Sequence, residues 1–280
     1  GGRSIMKNKK LIGNIIKYIV ISGLLLAYIV PFVFVLINSF KARKDVISNP
    51  LALPSTFKFS NYADAFQKMN YGHAFINTLI ITALSVLIII IFSSMTAYIL
   101  VRKDWKFNKF IFFGMVLSMI IPFQGIMIPL VSIYGSMGML NTKWALIYMY
   151  LGFGMSLAVF MYHGFIKSIP VELEEAAMID GATRFQTFWQ IVFPIMKPIT
   201  MTITTLDVLW IWNDFLLPSL ILIAPNERTL QLSTYAFNGT YTTDYGLSMS
   251  ALMLSILPVL IIYLFLQKSI IGGVLQGSIK

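Results

Sequence analysis

The chain has 280 residues, of which 58% are hydrophobic, and a mean hydropathy of +0.79. That composition excludes an ordinary soluble globule and makes the chain a polytopic membrane protein. Its 21 Lys and Arg against 11 Asp and Glu would suit nucleic acid, but the cations flank apolar runs and form no basic face with interleaved aromatics; the lack of cysteine removes disulfides and thiol or Cys-based metal chemistry.

Gly1 to Ile5 read as a non-native leader ahead of Met6, leaving residues 6–280 as a single transmembrane domain. Charge-free apolar runs of about 20 residues mark spanning helices, since backbone in hydrocarbon must satisfy its own hydrogen bonds. Six qualify, and the expected fold class is all-α. The first, Tyr18–Phe40, carries no small-residue cleavage site and reads as a retained helix rather than a signal peptide. Residues 41–74 form a loop with Pro50, Pro54 and the aromatic-rich FKFSNYADAF segment, followed by the second span, Phe75–Val101. The third, Phe110–Tyr134, contains Pro122 and Pro129 and is predicted to kink; the fourth is Trp144–Phe165. His73 and His163, the only imidazoles, lie at the ends of apolar runs and read as interfacial side chains rather than ligands.

Residues 170–198, PVELEEAAMIDGATRFQTFWQIVFPIMKP, form a polar island between the fourth and fifth spans. Glu172, Glu174, Glu175 and Asp180 fall within nine residues, so this segment belongs in water or against a protein partner. Pro170 and the three glutamates predict a helix start. Gly181 suits a left-handed C′ position, and Thr183 with Gln186 makes a capping box for a second short helix. In that helix Phe185, Phe188, Trp189 and Val192 share a predicted apolar face until Pro194 and Pro198 interrupt it.

The fifth span, Pro198–Ile223, holds Asp207 and Asp214, whose spacing of seven predicts one helix face shared with Trp210, with Asn213 close by. A buried acid is costly, so the face looks either into a translocation path, where Trp210 or Trp212 would stack on a sugar ring, or toward a neighbouring helix or second subunit. The loop 224–245 then carries Asn226, Glu227, Arg228 and the segment with Asn238, Gly239, Thr240 and Tyr241, suited to contact with a sugar or protein; the sixth span is Gly246–Gln267. With the N-terminus cytoplasmic, fourteen cations lie inside and seven outside, which favours both termini in the cytoplasm; Lys41, Arg43 and Lys44 are the discordant stretch. There is no phosphate-loop motif, no paired His/carboxylate site, no internal repeat, and no sign of cofactor or metal, so the chain is not expected to be an enzyme.

Glu175-Ala176-Ala177, Asp180-Gly181-Ala182, Phe188, Ile191, Pro194 and Pro198 resemble the "EAA" loop of permease subunits of ATP-binding-cassette importers, with Phe193 where that family usually has leucine. MIIPFQGIMIPL, GMLNTKWALI, WNDFLLPSLIL and RTLQLSTYAFNGTYTTDYG extend the likeness to the smaller six-helix permease of maltose-type carbohydrate importers. The resemblance implies a bacterial or archaeal cytoplasmic membrane and a second homologous permease. It also implies two cytoplasmic ATPase subunits, an extracytoplasmic solute-binding protein, and a sugar substrate surrounded by membrane lipid, without nucleic acid. It makes residues 167–197 a coupling loop that docks on the ATPase through Glu172, Glu174, Glu175, Ala176, Ala177, Asp180, Gly181, Ala182 and Pro194. It implies no cofactor. A glycerol-phosphate-like substrate within the same class and an ion-coupled secondary transporter remain the alternatives.

Overall fold

A computed structural model describes residues 2–237 and 244–278. Every regular element among them is helical: α1 (Gly2–Ser39), α2 (Arg43–Ser48), α3 (Ser60–Lys68), α4 (Tyr71–Arg102), α5 (Lys106–Ser118), α6 (Phe123–Ser136) and α7 (Lys143–Ile166) come first. After them run α8 (Glu172–Ile179), α9 (Arg184–Thr187), a π-helical turn at Phe188–Val192, α10 (Phe193–Ile195), α11 (Lys197–Asn213), α12 (Leu216–Ile221), α13 (Leu230–Ser233) and α14 (Tyr245–Ser278).

Four stretches, Gly13–Ser39, Tyr71–Arg102, Lys143–Ile166 and Tyr245–Phe265, are long and apolar enough to cross a membrane as continuous helices. The other two predicted spans are broken. Phe110–Tyr134 is not a kinked rod but two helices, α5 and α6, at 101°. Pro122 causes the break: it takes the N-cap of α6 with ψ 136, and its ring disfavours helical backbone at Ile121. Pro129 sits inside α6 without ending it. The run Pro198–Ile223 also stops early, because α11 ends at Asn213 and Asp214 is extended (φ −68, ψ 131) before α12 resumes at Leu216. Counting each bent pair as one span, Lys106–Ser118 with Phe123–Ser136 and Arg184–Ile195 with Lys197–Asn213, gives six.

The chain divides into two compact units, Gly1–Met69 with Thr234–Ile256, and Asn70–Ser233 with Leu257–Lys280. In the first, the polar end of α1 is the organising point. Lys41, 3% exposed, donates its ammonium to Asn38 Oδ1 (3.0 Å) and to the carbonyls of Asn49 (3.1 Å) and Pro50 (3.2 Å). A cation there meets the negative end of the α1 dipole, so Lys41 is a structural cap rather than a loop charge. Asn61 Nδ2 donates to the carbonyls of Ser39 and Lys41 (2.9 Å each), and Ser250 Oγ donates to Ser39 O (2.8 Å). Gly246 lets α14 approach this point, since a Cβ there would run into the Lys41 carbonyl oxygen. Gly246→Ala is therefore expected to cost about 1–3 kcal/mol and to lower the melting temperature of the detergent-purified protein. Gly72→Ala, at a helical glycine with no atom within 4 Å of the added carbon, should leave it unchanged or raise it slightly. Equal melting of Gly246→Ala and the parent chain would refute the close approach.

In the second unit α4 runs along α7, and α11 packs against both. Ile81, Ile89, Leu146, Tyr150, Val159, Tyr162, Ile203 and Ile211 fill the shared core. Small residues permit the close approach that lipid-embedded helices rely on: Ala97, Ala145 and Ala158 are buried, and a Cβ at Gly154 would meet Ile89. At the far end, Asn141, in the left-handed region (φ 64), accepts the N–H groups of Ile223 (3.0 Å) and Ala224 (2.7 Å) on its Oδ1. Asn77 Nδ2 donates to Asn226 O (2.7 Å), and Lys143 Nζ donates to Asn77 Oδ1 (2.9 Å).

Candidate functional site: the polar loop and the end of helix α4

The loop between α7 and α11 is built from local signals. α8 places Glu172, Glu174 and Glu175 in its first turn, where the helix dipole favours them. Its end is a Schellman motif: Gly181 at φ +90 donates its N–H to Met178 O (3.1 Å), and the Ala182 N–H reaches Ala177 O (3.0 Å). The predicted capping box is formed, with the Gln186 N–H donating to Thr183 Oγ1 (3.3 Å) and the Thr183 N–H to Gln186 Oε1 (2.8 Å).

Beyond Thr187 the helix widens into a π turn, in which the Phe193 N–H bonds Phe188 O five residues back. Pro194 supplies the reason, because it has no N–H for the Gln190 carbonyl and its ring would collide with that group in a regular α-turn. The chain then bends by 75° into α11 after Met196, with Pro198 in the first turn of the new helix. Phe185 and Phe188 line one groove against the last turns of α4, as the predicted apolar face has them. Phe188 and Val192 are buried, but Phe185 is 64% exposed.

Glu174 is the second departure. It is 3% exposed and turned inward, so it anchors the loop instead of facing outward with Glu172, Glu175 and Asp180. Tyr98 Oη donates to its Oε2 (2.7 Å) and Arg102 Nε to its Oε1 (2.7 Å), while Arg102 Nη2 donates to Ile169 O (2.8 Å). Phe188 packs on the Tyr98 ring, centroids 5.1 Å apart. The first half of the loop is thereby clamped to the last turn of α4. Ala177 is also buried, whereas Ala176, Asp180 and Gly181 are exposed, and Ala182 and Pro194 are partly or fully open. The loop exposes apolar side chains: Ile179 (86% exposed) with Leu173 and Met178 on α8, the helix that also carries Glu172 and Glu175, and Phe185 beyond the turn. Exposed apolar side chains on an otherwise polar loop suit contact with a partner protein. Sequence reasoning misses Tyr98, Arg102, Ile179 and the exposure of Phe185; an Arg and a Tyr ending an apolar run are the only signal for the clamp.

Asp207, Trp210, Asn213 and Asp214 do not share one helix face. Asp207 is buried on α11, and its Oδ2 has no hydrogen-bond partner among the described residues. Asn213 is exposed and Trp210 is 40% exposed. Asp214 lies past the helix end, where its Oδ1 accepts the Leu216 N–H (3.0 Å) and its Oδ2 the Tyr150 hydroxyl (2.8 Å). The short side chain captures a nearby backbone N–H in place of a helical bond, and that is why the helix stops there. Tyr150 also meets Trp210 edge to face at 5.5 Å, making it the unforeseen hub of this group. His163 stacks on Phe112 (centroids 3.9 Å), and His73 pairs with Asn70 (3.1 Å). No group of His, Cys, Asp or Glu suited to a metal occurs among the described residues. Asn238, Gly239, Thr240 and Tyr241 lie outside the described residues.

Residues 89–274 match the family described as "Binding-protein-dependent transport system inner membrane component". The probable starch degradation products transport system permease protein AmyC of Thermoanaerobacterium thermosulfurigenes is 46% identical over 255 residues, spanning 91% of this chain and 93% of that protein. The melibiose/raffinose/stachyose import permease protein MelC of Bacillus subtilis (strain 168) is 39% identical over 255 residues, 91% and 92% of the two chains. In fold, a chain of a bacterial ABC transporter involved in the import of the acidic polysaccharide alginate superposes with a TM-score of 0.77 at 23% identity, over 92% of this chain and 96% of that one. With its helices, its bent spans and its capped polar loop, this chain belongs to the family of binding-protein-dependent transport system inner membrane components.

Proposed function

We propose that the chain is the membrane-spanning permease of an ATP-driven, binding-protein-dependent sugar importer, and that residues 170–198 are where it takes up force from an ATPase on another chain. The observation that carries this reading is the exposure of Ile179, with Leu173 and Met178, on a loop that is clamped to α4 through Glu174. Oligosaccharide is the substrate class, in keeping with the starch products and the melibiose, raffinose and stachyose in the names of AmyC and MelC. A second permease of the same kind, two ATPase subunits and an extracytoplasmic binding protein complete the machine. Closure of the ATPase pair displaces the loop, and the displacement passes into α4 and α7 as a change of access between the two sides. The chain breaks no bonds. Membership of a binding-protein-dependent family disfavours an ion-coupled carrier.

The test is co-purification of the chain with an ATPase whose hydrolysis rises when the sugar-loaded binding protein is added. Uptake driven by a proton gradient without ATP would overturn the reading. Orientation is read from the fourteen-to-seven division of cations, and the cysteine-free chain allows a direct check. Single cysteines at Asn49 should react with an impermeant thiol reagent in intact cells. Cysteines at Lys109 and Arg184 should react only after permeabilisation, and labelling of Arg184→Cys from outside would reverse the topology.

A further inference from the structure

A cavity of about 480 Å³ opens beside the clamp, where the segment after α4, the start of α5 and the end of α7 meet. Lys103, Lys109 and Lys167 line it, against one carboxylate, Asp104. Arg102 also reaches it but is held by Glu174, whereas the three lysine ammonium groups make no hydrogen bond or ion pair among the described residues. The cavity thus carries an uncompensated excess of positive charge.

Its frame is rigid. Asn108, 6% exposed, donates its amide to the carbonyls of Lys103 and Leu100, closing the end of α4 and fixing the turn that carries Lys103. The stacked pair of Phe112 and His163 makes one wall. Two aromatic side chains of the lining are open to the surroundings: Trp105 is 58% exposed and Phe113 62%. Lysines beside exposed aromatics, at the end of two spanning helices, are the pattern of a membrane–water boundary.

We infer that this cavity holds the phosphodiester head group of an anionic phospholipid. The lysines recognise the phosphate, and a soluble phosphate would share that chemistry. The lipid is the source that also uses Trp105 and Phe113, which would lie along its glycerol backbone and the first carbons of its chains. The inference rests on α4 and α7 spanning the membrane and is independent of which solute is carried.

The experiment uses the assembled transporter in nanodiscs of mixed phosphatidylcholine and phosphatidylglycerol, with retained lipid counted by native mass spectrometry after transfer to detergent. The parent complex should retain phosphatidylglycerol in preference to phosphatidylcholine. Removing one lysine by Lys167→Gln should lower that preference about fivefold, and Lys103→Gln, Lys109→Gln and Lys167→Gln together by on the order of a hundredfold. Lys44→Gln, on α2 and outside the cavity, should leave it unchanged. If the triple variant fails to assemble, the Lys167→Gln and Lys109→Gln single variants carry the test. Equal retention of both lipids by the parent complex, or an unchanged preference in the lysine variants, overturns the inference. Displacement of the lipid by added inorganic phosphate also overturns it, by assigning the site to a soluble anion.

Discussion

Gly181→Val is expected to abolish sugar uptake while leaving the permease folded and inserted. Gly181 sits at φ +90 with no atom within 4 Å of where a side-chain carbon would be added, so the cost is conformational and not a clash. A β-branched residue in that region loses about 1–2 kcal/mol or more, roughly what a Schellman end contributes, and the chain escapes by leaving the left-handed well. The N–H groups of Gly181 and Ala182 then lose the Met178 and Ala177 carbonyls, and α9 no longer follows α8 at the same angle. Ile179 would be displaced relative to Phe185 and the clamped end of α4. Because the spanning helices take no part in this turn, the protein should be recovered in the membrane at parental yield, with its ATPase partner lost or unresponsive to the binding protein. Full uptake with normal ATPase stimulation in Gly181→Val would show that the loop does not transmit force.

The second large effect belongs to the clamp. Arg102→Ala leaves Glu174 buried without its cation, and Glu174→Ala leaves the guanidinium without its anion; removing one partner of a buried pair costs about 3–5 kcal/mol. The loss should be local, read as protease cleavage within residues 170–187 and as uptake reduced at least tenfold, while the melting of the spanning helices changes little. Arg102→Met with Glu174→Leu removes both charges at similar volume and should recover much of the protease resistance. Tyr98→Phe, which takes away one hydroxyl and leaves the ion pair, should cost only about 1–2 kcal/mol. If Arg102→Ala were as protease-resistant as the parent chain, the clamp would not be holding the loop.

The features legible in the sequence are those whose physics spans a few residues. The glutamates at the start of α8, the glycine after its end and the Thr183–Gln186 box each work within about five positions, and all three are in place. The apolar runs likewise disclose an all-α membrane chain. Local pattern puts Glu174 on the outer surface, because its partner, Arg102, is 72 residues away and nothing nearby announces the pair. A spacing of seven puts Asp214 on a helix face only while the helix continues, and its own side chain ends that helix by taking the Leu216 N–H. A period of 3.6 puts Phe185 on the face of Phe188, and both do line the groove against α4, yet at the start of its helix Phe185 stays 64% exposed. Pro122 signals a kink, but no single residue type encodes whether a chain resumes its direction or turns by 101°.

The clamp and the π turn give the loop two arms of unequal stiffness. On the α8 side, three hydrogen bonds, two of them from a guanidinium, join the loop to Tyr98 and Arg102, so α8 and α4 behave as a single lever. On the α10 side the connection to α11 runs through a widened turn and a 75° corner at Met196, held by buried Val192 and Met196 with no ion pair among the described residues. Under the proposed coupling role, a load applied at Ile179 would follow the stiff arm into α4 and, through their long shared seam, into α7. The corner beside α11 would then be the compliant joint that lets the lever swing without dragging the whole chain with it.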